Sequence, residues 1–131
     1  MKGENPFEDV PVVFSYTRKQ AIEDGVLVDI SGWARESGFV IPVACTHAVW
    51  HGHIVPPQGT RELGQSERGR AHDLLWMTYL AIRQTKQADV LTFKVIFLQA
   101  PGKHETVEFK AICGPGDEGE PVLTIMLPHE D

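Results

Sequence analysis

The sequence predicts an α+β fold, in which a helix-rich N-terminal half packs on a C-terminal antiparallel three-stranded meander. Short segments with helix caps occupy the first two thirds of the chain, and strands of alternating polarity fill the last third. The length of 131 residues and the apolar fraction of 42% are typical of one globular domain. We therefore expect residues 1–131 to form a single domain.

Three helices are expected from capping signals and apolar periodicity. Residues 17–20 (Thr-Arg-Lys-Gln) fit a capping box, and Gly25 supplies the end of the short helix that they begin. Ser31 and Gly38 bracket a second short helix. Residues 71–85 carry apolar side chains around most of the helix circumference, which predicts a helix largely buried against the sheet.

The apolar residues between these helices fit more than one structure. Residues 26–30 are typical of a buried strand or extended segment. Residues 39–50 form a longer apolar run, in which periodicity alone does not separate helix from strand. Pro42 suits the first turn of a helix and would interrupt a central strand, so we expect a helix over residues 42–51.

Three strands are expected in the last third of the chain. In residues 91–97 and 105–111, apolar side chains alternate with polar ones, as in strands with one solvent-facing side. Residues 122–127 add a third strand. The turns between the three strands are predicted at residues 101–104 and 114–120, which are rich in Gly and Pro.

Two segments lack a regular pattern. Residues 1–10 are polar and are expected to form a flexible arm, followed by a short strand at residues 12–14. Residues 52–70 are dominated by Gly, Pro and charged residues, with few apolar side chains to bury. Unstructured connections of this length are uncommon inside compact domains and are usually functional or disordered. The sequence therefore predicts a long loop at residues 52–70 and directs the search for a site to it.

The overall charge limits the classes of partner. A net charge of −6 and a pI near 5.4 argue against non-specific binding to nucleic acids and to anionic membranes. No apolar run has the length of a membrane span or of a signal-peptide core. Cys45 and Cys113 lie far apart in apolar runs, which predicts two buried free thiols in a reducing compartment. We therefore expect a cytoplasmic protein.

Several segments carry a family likeness. They are residues 16–29 (YTRKQAIEDGVLVD), 39–44 (FVIPVA), 48–50 (AVW) and 113–128 (CGPGDEGEPVLTIMLP). Together they resemble a family of small, uncharacterised bacterial proteins carried on plasmids, phages and integrative elements. The family has no assigned activity, so the resemblance transfers no catalytic residue. It implies an accessory protein of mobile genetic elements.

Three histidines form the first candidate site. If residues 42–51 are helical, His47 and His51 lie one turn apart on one face, a spacing at which two imidazoles bind one metal ion. His53 would add a third ligand, as in a zinc-dependent hydrolase. No Glu follows His47, and His also suits the end of a helix. We therefore expect no cofactor, with zinc or another divalent metal as the alternative.

The second candidate site consists of polar side chains without a known motif. Tyr16 and Arg18 lie near a helix start and are candidates for binding an acidic group, while Asp29 ends an apolar run and needs a partner or water. Asp117 lies in the Gly-rich turn at residues 114–120, where backbone N–H groups or carboxylates bind ions in other proteins. A hairpin turn also accounts for every residue of this segment.

The leading functional hypothesis is a non-enzymatic protein-binding module, with a protein partner or a second copy of the chain as its ligand. The alternative is a metal-dependent hydrolase that uses His47, His51 and His53. A nucleic-acid binder using Arg61, Arg68 and Arg70 is disfavoured by the acidic composition. One tryptophan exposed on the surface would support the protein-binding hypothesis, since tryptophan is frequent at the centres of protein interfaces.

Overall fold

The computed structural model describes residues 16–85 and 88–130. Its strands are β1 (Leu27–Asp29), β2 (Val43–Thr46), β3 (Val90–Ala100), β4 (Lys103–Pro115) and β5 (Pro121–Met126). They form one sheet with the order β1–β2–β5–β4–β3. β2 and β5 are parallel, and the other neighbours are antiparallel. The fold is α+β, but the predicted three-stranded antiparallel sheet is wrong, because two N-terminal strands extend it to five strands of mixed direction.

The helices of the described residues are mostly short. They are α1 (Arg18–Glu23), α2 (Ser31–Glu36), α3 (His47–Val49), a π-helix (Trp50–Ile54), a 3₁₀ turn (Arg61–Leu63) and α4 (Glu67–Gln84). Apart from α4, each spans six residues or fewer. The expectation of a helix-rich N-terminal half is therefore also wrong.

The first helix follows from local sequence, as predicted. The Thr17 hydroxyl accepts from the backbone N–H of Gln20, and the Gln20 side chain accepts from the backbone N–H of Thr17. Both bonds of a capping box are thus present. Gly25 follows with a φ of 80°, a left-handed conformation that ends the helix at low cost for glycine.

The helix predicted over residues 42–51 is wrong for its first half. Val43–Thr46 is strand β2, and it pairs with β5 in the register Val43 to Leu123. Pro42 precedes the strand, so its missing N–H costs no ladder bond, while its carbonyl accepts from Leu123 N at 2.9 Å. Helix α3 starts after Thr46, whose hydroxyl accepts from Val49 N.

Part of the segment predicted to be a long loop is helical. The π-helix extends to Ile54, and α4 begins at Glu67, where the Ser66 hydroxyl caps it by accepting from Gly69 N at 3.0 Å. The irregular connection is therefore confined to residues 55–66 and contains the 3₁₀ turn. The predicted arm at residues 1–10 and the strand at residues 12–14 lie outside the described residues.

One face of the sheet packs against α4 and forms the core. On β3 and β4 the buried positions alternate with exposed ones, and Phe93 lies opposite Phe109. Leu74 and Leu75 of α4 are completely buried against this face. The hydrophobic effect over this contiguous apolar cluster supplies the main stabilisation of the fold. The predicted contact of this helix with the sheet is confirmed, but the helix is less buried than predicted, since Trp76 is 48% and Ile82 39% exposed.

The face of the sheet opposite α4 is partly covered by helix α1. Side chains alternate along β5, so Val122, Thr124 and Met126 point away from the core that contains Leu123 and Ile125. Helix α1 lies on this second face, where its first residue contacts β5. The chain thus leaves a groove between α1, the sheet and the C-terminal turn.

Candidate functional site

A groove of about 740 Å³ lies on the face of the sheet opposite α4. Its apolar floor consists of Ile112, Val122 and Met126. The remaining lining residues come from α1 and the turn after it, from the end of β2, from β4 and from the C-terminal turn: Tyr16, Arg18, Ala21, Asp24, Gly25, Val26, Leu27, Thr46, His47, Gly114, Pro115, Thr124 and Glu130. We call this feature the α1 groove. It brings His47, from the first candidate site, together with Tyr16 and Arg18, from the second.

The start of α1 is held by Asp117. Its two carboxylate oxygens accept from the backbone N–H groups of Arg18 at 2.7 Å and Lys19 at 3.0 Å. These bonds lower the pKa of Asp117 below its ordinary value. The predicted acid-binding position at this helix start is therefore occupied by an acid of the chain itself, and the turn at residues 114–120 is docked on α1.

Replacing Asp117 with asparagine is expected to lower the melting temperature near neutral pH, because the amide nitrogen cannot accept the second N–H bond. The folded-state pKa is depressed, so this stabilisation is present above the unfolded pKa of about 4 and is lost as the pH falls through the folded value. Melting followed by circular dichroism should show a difference from the wild type near pH 7 that shrinks near pH 2. Glu118→Gln, in the same turn, is the control; equal melting of the two variants would contradict the assignment.

Arg18 connects α1 to the sheet. Its guanidinium donates to the Thr124 hydroxyl at 2.7 Å and to the Leu123 carbonyl at 2.9 Å. Burial lowers the pKa of Arg18, and the nearby Asp29 opposes that shift. The carboxylate of Asp29 accepts from the backbone N–H of Ser31, the first residue of α2, at 3.0 Å. Arg18 and Asp29 thus both have structural partners.

The other polar groups of the α1 groove are paired along its rim. The Tyr16 hydroxyl donates to Asp24 at 2.7 Å, and this bond raises the pKa of Tyr16. The Thr46 hydroxyl donates to Glu130 at 2.8 Å, and the same carboxylate oxygen accepts from Leu127 N at 2.8 Å. Sequence reasoning missed Asp24, Thr46 and Glu130. A local signal existed for Thr46 alone, because it directly precedes a short helix that it caps.

The three histidines of the predicted metal site do not converge. The rings of His47 and His51 lie 4.1 Å apart between centroids, on the exposed surface. His53 points into the core, where its ring stacks on Phe97 and meets the edge of Phe109. Within residues 16–85 and 88–130, no group of three or more His, Cys, Asp or Glu side chains is placed to hold a metal ion. The structure therefore does not assemble the three-histidine site.

The environment of His53 has a second unusual feature. Its Nδ1 atom is buried and has no hydrogen-bond partner among the described residues. Burial lowers the pKa of His53, so the neutral imidazole is favoured. The carbonyl of His53 accepts from Arg70 Nε at 2.6 Å. His53 therefore belongs to a buried network around Arg70 and not to the α1 groove.

The three arginines considered for nucleic-acid binding all have partners. Arg61 forms a bidentate pair with Glu67, and Arg68 pairs with Glu36 at 2.6 Å. Arg70, which the sequence placed in the loop, lies in α4 and is only 1% exposed. The arginines that the loop hypothesis required thus do not form a free basic surface.

The two cysteines differ in their surroundings. Cys45, on the central strand β2, is fully buried, and burial raises the pKa of its thiol to about 12. Cys113 is exposed near the end of β4. Both are free thiols, but the expectation that both are buried is wrong for Cys113.

The tryptophans divide into two groups. Trp33 and Trp50 stack on each other with 6.1 Å between centroids and are half-buried. Trp76, on α4, is 48% exposed and stacks on Tyr79. It lines a cleft of about 410 Å³ with Ile96 of the edge strand β3. Trp76 is therefore an exposed tryptophan of the kind that would support the protein-binding hypothesis, although it does not line the α1 groove.

The described residues form a small α+β domain with a five-stranded mixed sheet, which carries the α1 groove on the face opposite α4. The chain belongs to a family of unknown function, DUF6573, whose model matches residues 3–131. Searches of curated proteins and of solved structures gave no significant match. In the described part of the chain, no helix has the length and apolar character needed to cross a membrane.

Proposed function

We propose that this chain is a non-enzymatic protein-binding module and that the α1 groove is its binding surface. The observation that carries the proposal is the pairing of an apolar floor with two exposed apolar side chains at its edge. Tyr16 is 55% exposed and Val26 is 50% exposed, and both line the groove. Large apolar side chains left in water beside an open groove are typical of surfaces that a partner covers.

The polar groups of the groove favour binding over catalysis. Tyr16 donates to Asp24, Thr46 donates to Glu130, and Arg18 donates to Thr124. These bonds run along the wall and tie the elements together, whereas a catalytic constellation directs a nucleophile, a base and an orienting group at one reacting atom. The arrangement therefore supports recognition of an apolar chain segment.

The proposed setting is the cytoplasm of a cell that carries a mobile genetic element. The resemblance to proteins borne on plasmids, phages and integrative elements supports this context, and so does the presence of two free thiols, one of them exposed. The partner would then be a protein of the host or of the element, with a second copy of the chain as the alternative.

Val26→Glu is expected to abolish capture of the partner by the tagged full-length chain, because a carboxylate beside the apolar floor must be desolvated when a partner covers it. Capture from the cells that naturally express the chain, followed by mass spectrometry, compares this variant with the wild type. Val40→Glu is the matched control, since Val40 is also exposed and does not line the groove.

The outcomes distinguish two candidate surfaces. Loss of the partner with Val26→Glu and retention with Val40→Glu supports the α1 groove. If Trp76→Ala loses the partner while Val26→Glu keeps it, the cleft beside β3 is the binding surface and the proposal is wrong. Sedimentation analysis of the wild type at rising concentration detects self-association through either surface.

A further inference from the structure

Two carboxylates lie on the rim of the α1 groove. Asp24 follows α1, and Glu130 lies in the turn after β5. The nearby cations are already bound to acceptors of the chain. Arg18 donates to Thr124 and Leu123, and Lys110 donates to the backbone carbonyl of Glu130. These acceptors are uncharged and leave both cations positive, so the lining of the groove carries two carboxylates against the single guanidinium of Arg18.

Each carboxylate is held in place yet keeps a free oxygen. Asp24 accepts from Tyr16 through Oδ2, and Glu130 accepts from Thr46 and Leu127 through Oε1. Asp24 Oδ1 and Glu130 Oε2 accept no hydrogen bond from the described residues. An ionised carboxylate has about four acceptor positions, so both groups retain capacity for a cationic donor. Because their positions are already fixed, binding costs little further side-chain entropy.

Anionic ligands do not fit these surroundings. The N–H groups at the start of α1, which would attract an anion, are taken by Asp117. A phosphate or an acidic peptide in the groove would meet the two carboxylates of the rim, and such like-charge contacts are unfavourable. The net charge of −6 on the whole chain also favours the approach of a cationic partner.

From this charge complementarity and the apolar floor, we infer that the occupant of the α1 groove is an extended segment of a partner protein that alternates aliphatic side chains with lysine or arginine. The aliphatic side chains pack against Tyr16, Val26 and Ile112, because Val122 and Met126 are only 4% and 5% exposed, and the basic side chains reach Asp24 and Glu130. In an extended chain the two kinds of side chain leave on opposite sides, and the long lysine and arginine side chains bend back along the rim to place their charged ends on the carboxylates. The inference rests on the proposed function and adds the chemistry of the partner.

The test uses methionine methyl groups as reporters in the full-length chain. The chain contains three methionines, of which Met126 lies in the floor of the groove and Met77 lies on α4. The probes are two blocked peptides, Val-Lys-Val-Lys-Val and Val-Glu-Val-Glu-Val, added to protein with ¹³C-labelled methionine methyls. The lysine peptide is expected to shift the Met126 signal and to leave Met77 unchanged. The glutamate peptide should bind about tenfold more weakly.

Three carboxylate variants test the rim directly. Asp24→Asn and Glu130→Gln keep an acceptor for Tyr16, Thr46 and Leu127 but remove the charge. Each should therefore lower the affinity for the lysine peptide about two- to fivefold. Both should also reduce the dependence of binding on salt. Glu23→Gln is the matched control, since Glu23 precedes Asp24 in sequence and does not line the groove.

Specific results overturn the inference. Equal binding of the two peptides, equal effects of Asp24→Asn and Glu23→Gln, or a Met126 signal that neither peptide moves would each contradict it. If the peptides bind equally while Val26→Glu still abolishes partner capture, the charge argument fails and the proposed function stands. If the lysine peptide shifts Met126 selectively while Val26→Glu keeps the partner, the cation site stands and the proposed partner surface is wrong.

Discussion

Replacing Arg70 with alanine is expected to destabilise the fold by about 3–5 kcal/mol. Arg70 is 1% exposed, and its guanidinium donates to the carbonyls of His53 and Leu98 and to the side chains of Gln65 and Gln99. It also lies 4.5 Å above the ring of Phe97. The substitution removes the guanidinium donor from two part-buried carbonyls and opens a cavity. Because small domains are stable by about 5–15 kcal/mol, such a loss brings the chain near unfolding.

Urea unfolding followed by tryptophan fluorescence measures this effect. Arg68→Ala is the matched control, because Arg68 lies in the same helix but forms an exposed pair with Glu36, for which about 0–1 kcal/mol is expected. Arg70→Lys should recover only part of the loss, since an ammonium cannot reproduce the fork of a guanidinium. Similar unfolding midpoints for Arg70→Ala and Arg68→Ala would refute the structural role.

Phe109→Ala is expected to lower the free energy of unfolding by about 3–5 kcal/mol, which is the second large effect. Phe109 is completely buried at the centre of β4, and its ring contacts those of Phe93, Phe97 and His53. Removing it takes away apolar contact area on the core face of the sheet and leaves a cavity that rigid neighbours cannot fill. Chemical denaturation of the variant and the wild type compares their free energies of unfolding.

The pKa of His53 provides a second way to measure the effect of Phe109→Ala. Its pKa is lowered mainly by burial, so removing the Phe109 ring should admit water and raise the pKa of His53 towards about 6.5. Imidazole proton signals followed by NMR as a function of pH report this change. Phe109→Leu, which fills most of the space, should keep the pKa lowered and cost less stability. A His53 pKa unchanged in Phe109→Ala would show that the ring does not shield it.

Features determined by neighbouring residues were predictable from the sequence. The capping box of α1 needs only Thr17 and Gln20, and the structure contains it. Strands β3 and β4 were predicted because their side chains alternate between a buried and an exposed face, and β5 because a Gly-rich turn precedes an apolar run, although each boundary moved by one to several residues. Both kinds of signal depend on residues close together in the chain.

Strand β2 could not be predicted in this way. Its hydrogen-bond partner, β5, lies at the other end of the chain, and a short buried strand looks like a turn of buried helix. Pro42 then favoured a helix where the chain forms a strand. The local sequence does not distinguish a proline just before a central strand from a proline in the first turn of a helix. Arg70 was misplaced for a related reason, since its helix starts at Glu67 in a segment rich in glycine.

The candidate site was predictable only in fragments. Tyr16, Arg18, His47 and Asp117 were each singled out, and the structure brings the first three to the α1 groove and places Asp117 beside it, at the start of α1. The floor could not be predicted, because nothing in the local sequence distinguishes Val122 and Met126 from other strand residues. Only the order of the strands shows which face of the sheet α4 leaves uncovered. The negative charge of the rim could not be predicted either, because Glu130 reaches the groove only through the turn that follows β5.

The position of β5 has a consequence for how the chain acquires its structure during synthesis. β5 joins β2 on one side and β4 on the other, so the sheet links the first third of the chain to the rest through its last strand. Contacts between residues far apart in sequence slow folding, because a long loop must close before they form. We therefore expect β1 and β2 to remain outside the sheet until β5 has left the ribosome, and the α1 groove to form in that same step.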